Sequence, residues 1–109
     1  MSVISSFIKN ELIRNMNMIT EYKKKLESLP RGTIVKKVIN GKEYCYLAYR
    51  EKKKVVTKYI GNNEEKVKYY KELLVRRMQI EAFIKSLKEE RSKLLKMEAL
   101  IWSYITVVM

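Results

Sequence analysis

The chain has 109 residues and a net charge of +12, with 24 Lys and Arg against 12 acidic residues, so a single, strongly basic domain (residues 1–109) is expected. All the acids are Glu, His is absent, and there is one Cys. These absences exclude a His-based general acid or base, a Ser-His-Asp triad and a zinc site made of Cys and His. We therefore expect a non-enzymatic binding or structural protein with no metal and no cofactor.

Three features of the sequence bear on the cellular location of the protein. Only residues 99–109 are strongly apolar, and a membrane-spanning helix needs roughly 20 such residues. The N-terminus lacks the pattern of a signal peptide, and the lone Cys45 cannot form an internal disulfide. These features predict a cytoplasmic protein without a membrane span.

The first predicted element is one long helix over residues 1–29. Pro30 ends it, because the residue before a proline disfavours the helical conformation. Apolar residues recur on nearly one helical face, at Ile8, Leu12, Met16, Ile19, Tyr22 and Leu26.

The second predicted element is a three-stranded antiparallel meander over residues 33–60, which are rich in Val, Ile, Thr and Tyr. Asn40-Gly41 is the strongest short hairpin signal, because both turn positions need a positive φ. A two-residue turn there pairs Lys37 with Tyr44. A second turn around residues 51–54 brings Tyr46 near Tyr59.

The third predicted element is a helix over residues 63–98, capped by Asn62 or Asn63 with acidic residues in its first turn. One apolar row repeats every seven residues, which favours a coiled-coil-like pairing of the two helices. The predicted fold is therefore α+β, in the order α-β-β-β-α. The members of the apolar row are Leu73, Ile80, Leu87, Leu94 and Ile101. We expect this row to form a contact within the chain or between subunits, and we expect a homodimer.

The apolar tail, residues 99–109, has three interpretations. It extends the second helix into a core or dimer contact, adds a strand from residue 105, or inserts shallowly into a membrane. The first is preferred, because exposed apolar patches usually mark interaction sites.

The positive charge is concentrated in the predicted sheet. Residues 31–60 hold nine Lys and Arg and two Glu, a net of +7, which exceeds half of the charge of the whole chain. A basic patch of this kind is typical of proteins that bind a phosphate backbone. A second basic stretch on the third element, with Arg76 and Arg77, either continues this patch or forms a solvated helix face, and the second interpretation is preferred.

The predicted strand register separates two sheet faces. The first is mostly aliphatic and suited to packing on the helices: Ile34, Val38, Cys45, Leu47, Tyr49, Val56 and Ile60. The second face, together with the lysines of the second turn, is the predicted binding site. There, tyrosine rings are expected to stack on bases or ribose, and cations are expected to neutralise phosphates. Its residues are Lys37, Lys42, Tyr44, Tyr46, Arg50, Lys52, Lys53, Lys54 and Tyr59. The alternative is that these tyrosines are half-buried strand formers and the lysines only solubilise the sheet.

Three motifs carry a family resemblance: residues 29–34, residues 41–50, and Lys58-Tyr59-Ile60-Gly61. Together they resemble a group of short bacterial and archaeal proteins of unknown function, with a Tyr-rich hairpin between two helices. The likeness covers roughly residues 26–95. The hairpin also resembles an N-terminal segment of insertion-sequence transposases, which implies a mobile-element context and contact with DNA but no catalytic residue.

Three functions are compatible with these features. The preferred one is non-enzymatic binding of nucleic acid, DNA or RNA, by a mobile-element protein. The second is an anti-CRISPR-like inhibitor from a phage or mobile element that binds a host protein or a nucleic-acid-handling complex. The third is a structural coiled-coil oligomer.

Overall fold

The two helices and three strands lie in the predicted order in a computed structural model that describes residues 3–108. They are α1 (Val3–Glu27), β1 (Thr33–Ile39), β2 (Lys42–Glu51), β3 (Lys54–Gly61) and α2 (Glu64–Val108). The α+β class and the α-β-β-β-α order are confirmed. Residues 1 and 2 of the predicted first helix, and residue 109 of the tail, lie outside the described residues.

Two compact units divide the chain. A helical unit consists of Met1–Lys25 with Ile80–Met109, and a sheet unit consists of Leu26–Gln79. The long helix α2 contributes its first part to the sheet unit and its remainder to the helical unit.

In the helical unit, α1 and α2 pack as a coiled-coil-like pair, as predicted, and the structure shows that they run antiparallel. The ring of Tyr22 lies 4.8 Å from that of Phe83, whereas Lys9 lies 6.0 Å from the ring of Trp102, so the two chain directions are opposed. Met16 is exposed instead of buried, because the buried stripe passes through the preceding residue. The buried side chains are Ser5, Ile8, Asn15 and Ile19 of α1 and Ile84 and Leu87 of α2.

In the sheet unit, the strands form a meander in the order β1-β2-β3. Asn40 and Gly41 have φ angles of 52° and 78°, so the predicted tight turn is confirmed. The second turn, at Lys52 and Lys53, lies between the paired residues Glu51 and Lys54. The predicted pairs, including Lys37 with Tyr44, match the observed register.

The core of the sheet unit lies between the sheet and the start of α2. Val67 of α2 packs with the buried residues of the sheet, and Tyr70 and Leu74 surround them from the same helical face. Val38 was expected in this core but is 67% exposed, because this end of the hairpin extends beyond the packed residues. The buried sheet residues are Cys45, Leu47 and Ile60.

The second long helix begins at an Asn cap and runs without interruption. The Oδ1 atom of Asn63 accepts a hydrogen bond of 2.9 Å from the backbone N–H of Glu65, which confirms one of the two predicted caps. With no Gly or Pro after Gly61, α2 continues for 45 residues, or about 68 Å. The predicted extension of this helix by the apolar tail is confirmed as far as residue 108, and an added strand over residues 105–108 is wrong. Neither of the helices described in residues 3–108 contains an apolar stretch that would span a bilayer.

Candidate nucleic-acid interface

The sheet face that points away from the core carries the side chains predicted for binding. Val35, Tyr46 and Tyr59 lie side by side across the three strands, and Lys37 lies beside Tyr44. Side chains alternate between faces along a strand, so one face collects the tyrosines and cations while Cys45 and Leu47 point to the core.

Three tyrosine rings on this face form a cluster centred on Tyr59. Its ring centroid lies 5.4 Å from that of Tyr46 and 6.2 Å from that of Tyr44, with interplanar angles of 57° and 48°. Tyr44 and Tyr46 are half-buried, whereas Tyr59 is 54% exposed. These spacings and tilts are typical of favourable aromatic pairs. Because Tyr59 is the most exposed of the three, it is the accessible ring of the cluster.

Cations surround the tyrosine cluster. The Nζ atom of Lys37 lies 4.8 Å from the ring centroid of Tyr46, a cation–π contact that holds one ammonium group beside the rings. Lys42 and Arg50 lie on the same face towards the two ends of β2, and both are exposed. Along this face of β2, the two tyrosines therefore lie between a cation near each end of the strand.

These cations are not neutralised by acids of the described chain. Among residues 3–108, none of Lys37, Lys42, Arg50 and the three turn lysines (Lys52–Lys54) forms an ion pair with a carboxylate. All of them are exposed. Their positive charge is therefore available to an external anion.

A β-bulge shapes the site and was not predicted. Tyr46 pairs with Tyr59, but the preceding Cys45 pairs with Gly61, so β3 holds one extra residue, Ile60. A bulge increases the local twist of the sheet. It lies directly beside the tyrosine cluster, with Ile60 buried in the core.

The basic stretch at the start of α2 separates into two kinds of residue. Most of it is exposed, as predicted for a solvated helix face, but Arg77 is half-buried. Its Nη1 atom donates hydrogen bonds of 3.1 Å to the carbonyl oxygens of Leu26 and Leu29. Arg77 thus satisfies carbonyl groups at the C-terminus of α1, a role that the sequence pattern did not indicate.

A second basic depression lies on the helix side of the sheet unit and was missed by the sequence analysis. It has a volume of about 440 Å³ and is lined by Lys58, Tyr49 and Arg31 among others. The guanidinium carbon of Arg31 lies 5.7 Å from the ring centroid of Tyr49. No sequence signal brings these residues together, because they come from a loop and two different strands.

The predicted oligomer-contact row faces the interior of the chain to different extents. Leu87 is buried, and the other four members, Leu73, Ile80, Leu94 and Ile101, are half-buried. Much of this row is therefore covered within one copy of the chain. The exposed apolar residues of the tail lie on a neighbouring face of the same helix.

Chemically reactive groups in the described residues are few. Cys45 is a free thiol buried in the core of the sheet unit. Within residues 3–108, no three of His, Cys, Asp and Glu come close enough together to hold a metal ion. The accessible chemistry of the sheet is thus cationic and aromatic.

Comparisons with known proteins give one match. No curated protein and no solved structure matches the chain significantly. The model of a domain of unknown function, DUF6788, matches residues 10–69, which run from α1 through the whole sheet into the start of α2. The match begins and ends earlier than the resemblance noted in the sequence. It covers more than half of the chain, and the protein therefore belongs to the DUF6788 family of unknown function.

Proposed function

We propose that the protein binds nucleic acid, without catalysis, on the outward face of its three-stranded sheet. The observation that carries this proposal is the tyrosine cluster, with its exposed Tyr59, beside cations that form no ion pair with an acid of the described residues. Lys and Arg contribute affinity by neutralising phosphates and releasing counterions. Tyrosine rings add contacts to bases or ribose that a purely anionic surface does not supply.

A titration of purified protein with labelled DNA and RNA at two salt concentrations tests the proposal. If about six cations contact phosphates, affinity falls by roughly 300-fold for a single strand and by roughly 10³-fold for a duplex between about 50 and 200 mM salt. Absence of binding at low salt, or binding that salt does not weaken, contradicts the proposal.

Single substitutions locate the contact on the sheet. Lys42→Gln removes one exposed cation of the proposed face and is expected to lower the slope of log affinity against log salt by about one. Lys93→Gln, on an exposed position of α2, serves as the matched control. Equal effects of the two substitutions would mean that the charge acts diffusely and not through the sheet.

We also place this activity in a mobile element and in the cytoplasm. Support for the first comes from the resemblance of Tyr49-Arg50-Glu51 and of residues 58–61 to an N-terminal segment of transposases. The buried free thiol of Cys45 suits a reducing compartment.

The alternative function is an anti-CRISPR-like inhibitor. In that case, the purified protein binds a host protein in a nuclease-resistant complex and does not bind free nucleic acid.

We further propose a homodimer formed through the apolar end of α2. Met97, Leu100, Tyr104 and Val107 are exposed and recur at spacings of three and four residues, which is the spacing of a self-complementary helix seam. Residues 97–107 contain one charged residue, Glu98. Because the chain carries +12 overall, two copies meet with least electrostatic repulsion where charge is nearly absent.

A further inference from the structure

We infer that the sheet recognises unpaired nucleotides, with a base stacked on the ring of Tyr59. This inference rests on the nucleic-acid-binding function proposed above and specifies the form of the ligand. Tyr59 is the central and most accessible ring of the cluster, and it contacts both Tyr44 and Tyr46 of the neighbouring strand β2. The ligand is thus a single-stranded DNA or RNA segment and not a duplex.

The spacing of the rings decides how a base would bind. A base inserted between two rings needs about 7 Å, twice the contact distance of about 3.5 Å between carbon atoms. The ring centroid of Tyr59 lies only 5.4 Å from that of Tyr46 and 6.2 Å from that of Tyr44, and the ring planes are inclined by 57° and 48°. A base therefore stacks on the open surface of Tyr59 and does not intercalate.

Stacking on an open ring requires a base whose own face is free. In a duplex, neighbouring base pairs cover both faces of each internal base, so an exposed sheet can reach only phosphates and groove edges. An unpaired base offers a π-face, and each stacked base contributes to affinity with little dependence on sequence. The exposed ring of Tyr59 thus adds affinity for single strands that a duplex cannot gain.

The cations are spaced to hold the phosphates of such a strand. Lys42 and Arg50 are eight residues apart on one face of β2, about 26 Å at about 3.3 Å per residue. Tyr44 and Tyr46 lie between them. The Nζ atom of Lys37 lies 4.8 Å from the ring centroid of Tyr46. Its ammonium group is therefore next to the proposed stacking position on Tyr59. Phosphate contacts at both ends and base contacts in the middle fit a short extended strand.

The experiment compares single-stranded and duplex probes on the full chain at low salt. An oligothymidine and an oligouridine of about 16 nucleotides, the upper end of the site size of one OB-fold domain, are compared with a duplex of the same length by fluorescence anisotropy. The unmodified protein is expected to bind the single strands more tightly. Tyr59→Ala is expected to weaken single-strand binding by roughly 5- to 150-fold, to weaken duplex binding much less, and to keep the salt slope, because it removes no charge.

Two further variants separate stacking from folding. Tyr59→Phe keeps the ring and is expected to retain affinity, whereas Tyr59→Leu keeps apolar bulk without a π-face and is expected to lose it. Tyr69→Ala is the matched control, because Tyr69 is 59% exposed on α2, close to the 54% of Tyr59. Circular dichroism verifies the fold of each variant, and NMR on the unmodified protein provides a second measurement, the upfield shift of the Tyr59 ring protons on adding oligothymidine.

The outcomes distinguish this inference from the broader proposal. Duplex binding as tight as single-strand binding, together with no effect of Tyr59→Leu, overturns the inference and leaves nucleic-acid binding standing. An equal loss for Tyr59→Ala and Tyr69→Ala also overturns it. Failure of every probe to bind at low salt overturns both.

Discussion

The Nδ2 atom of Asn15 donates a hydrogen bond of 2.8 Å to the backbone carbonyl of Leu87, joining the centres of the two packed helices. Asn15 is only 2% exposed, and its Oδ1 atom is buried without a hydrogen-bond partner among the described residues. A single buried Asn between paired helices specifies their register while reducing stability. We therefore expect this contact to favour the observed alignment of the two helices over other alignments.

Replacing this buried amide is expected to stabilise the helical unit. Asn15→Leu removes an unpaired buried acceptor and adds apolar contact, so the free energy of unfolding should rise by about 1 kcal/mol in a urea titration. Asn17→Leu, at an exposed position of α1, is the control and should change it little. A marked loss of stability in Asn15→Leu would show that the amide is required for packing.

Removing the guanidinium of Arg77 is expected to destabilise the junction after α1. Arg77→Met takes away both hydrogen bonds to the carbonyls of Leu26 and Leu29, at a cost of about 1–3 kcal/mol in thermal or urea unfolding. Amide exchange near the end of α1 should accelerate. Arg76→Met, which changes the exposed neighbouring side chain, is expected to have a small effect, and similar losses in both variants would refute the capping role.

Two of the three glycines of the sheet unit, Gly32 and Gly41, provide a matched pair. Gly32 has a φ of 117°, and a Cβ there would overlap the carbonyl oxygen of Ala48. Gly41 has a φ of 78°, but no atom lies near its Cβ position. We expect Gly41→Ala to lower the free energy of unfolding by about 1 kcal/mol, the conformational cost alone. Gly32→Ala should lower it by about 2–4 kcal/mol, because backbone must also move. Equal losses would contradict the overlap.

The proposed dimer depends on the apolar end of α2. Leu100→Lys introduces a charge into the exposed seam, so sedimentation should show a shift from dimer to monomer, because burying an unpaired ammonium group is unfavourable. Met78→Lys is the control, since Met78 is 69% and Leu100 70% exposed. A monomer for the unmodified protein at high concentration would contradict the dimer itself.

The hairpin shows how far sequence patterns reach. Asn40-Gly41 specifies a tight turn, and the turn sets every pairing of β1 with β2, so the face that carries Tyr44 and Lys37 was predictable. The bulge at Ile60 was not, because one extra residue changes neither composition nor alternation strongly enough to be recognised. Val38 was assigned to the core for a different reason. Alternation along a strand indicates the sheet face on which a side chain lies, but not whether another element covers that side chain.

Local patterns by themselves determined the order of elements, the turns, a helix cap at Asn62 or Asn63 and the concentration of charge, since each depends on residues close together in the chain. Only the tertiary structure decided that Tyr59 is the accessible ring, that Arg77 satisfies carbonyls 48 and 51 residues away, and that Asn15 lies between the helices. These depend on how distant segments pack. Burial and hydrogen-bond partners are properties of neighbours in space, which a linear pattern of residue types does not contain.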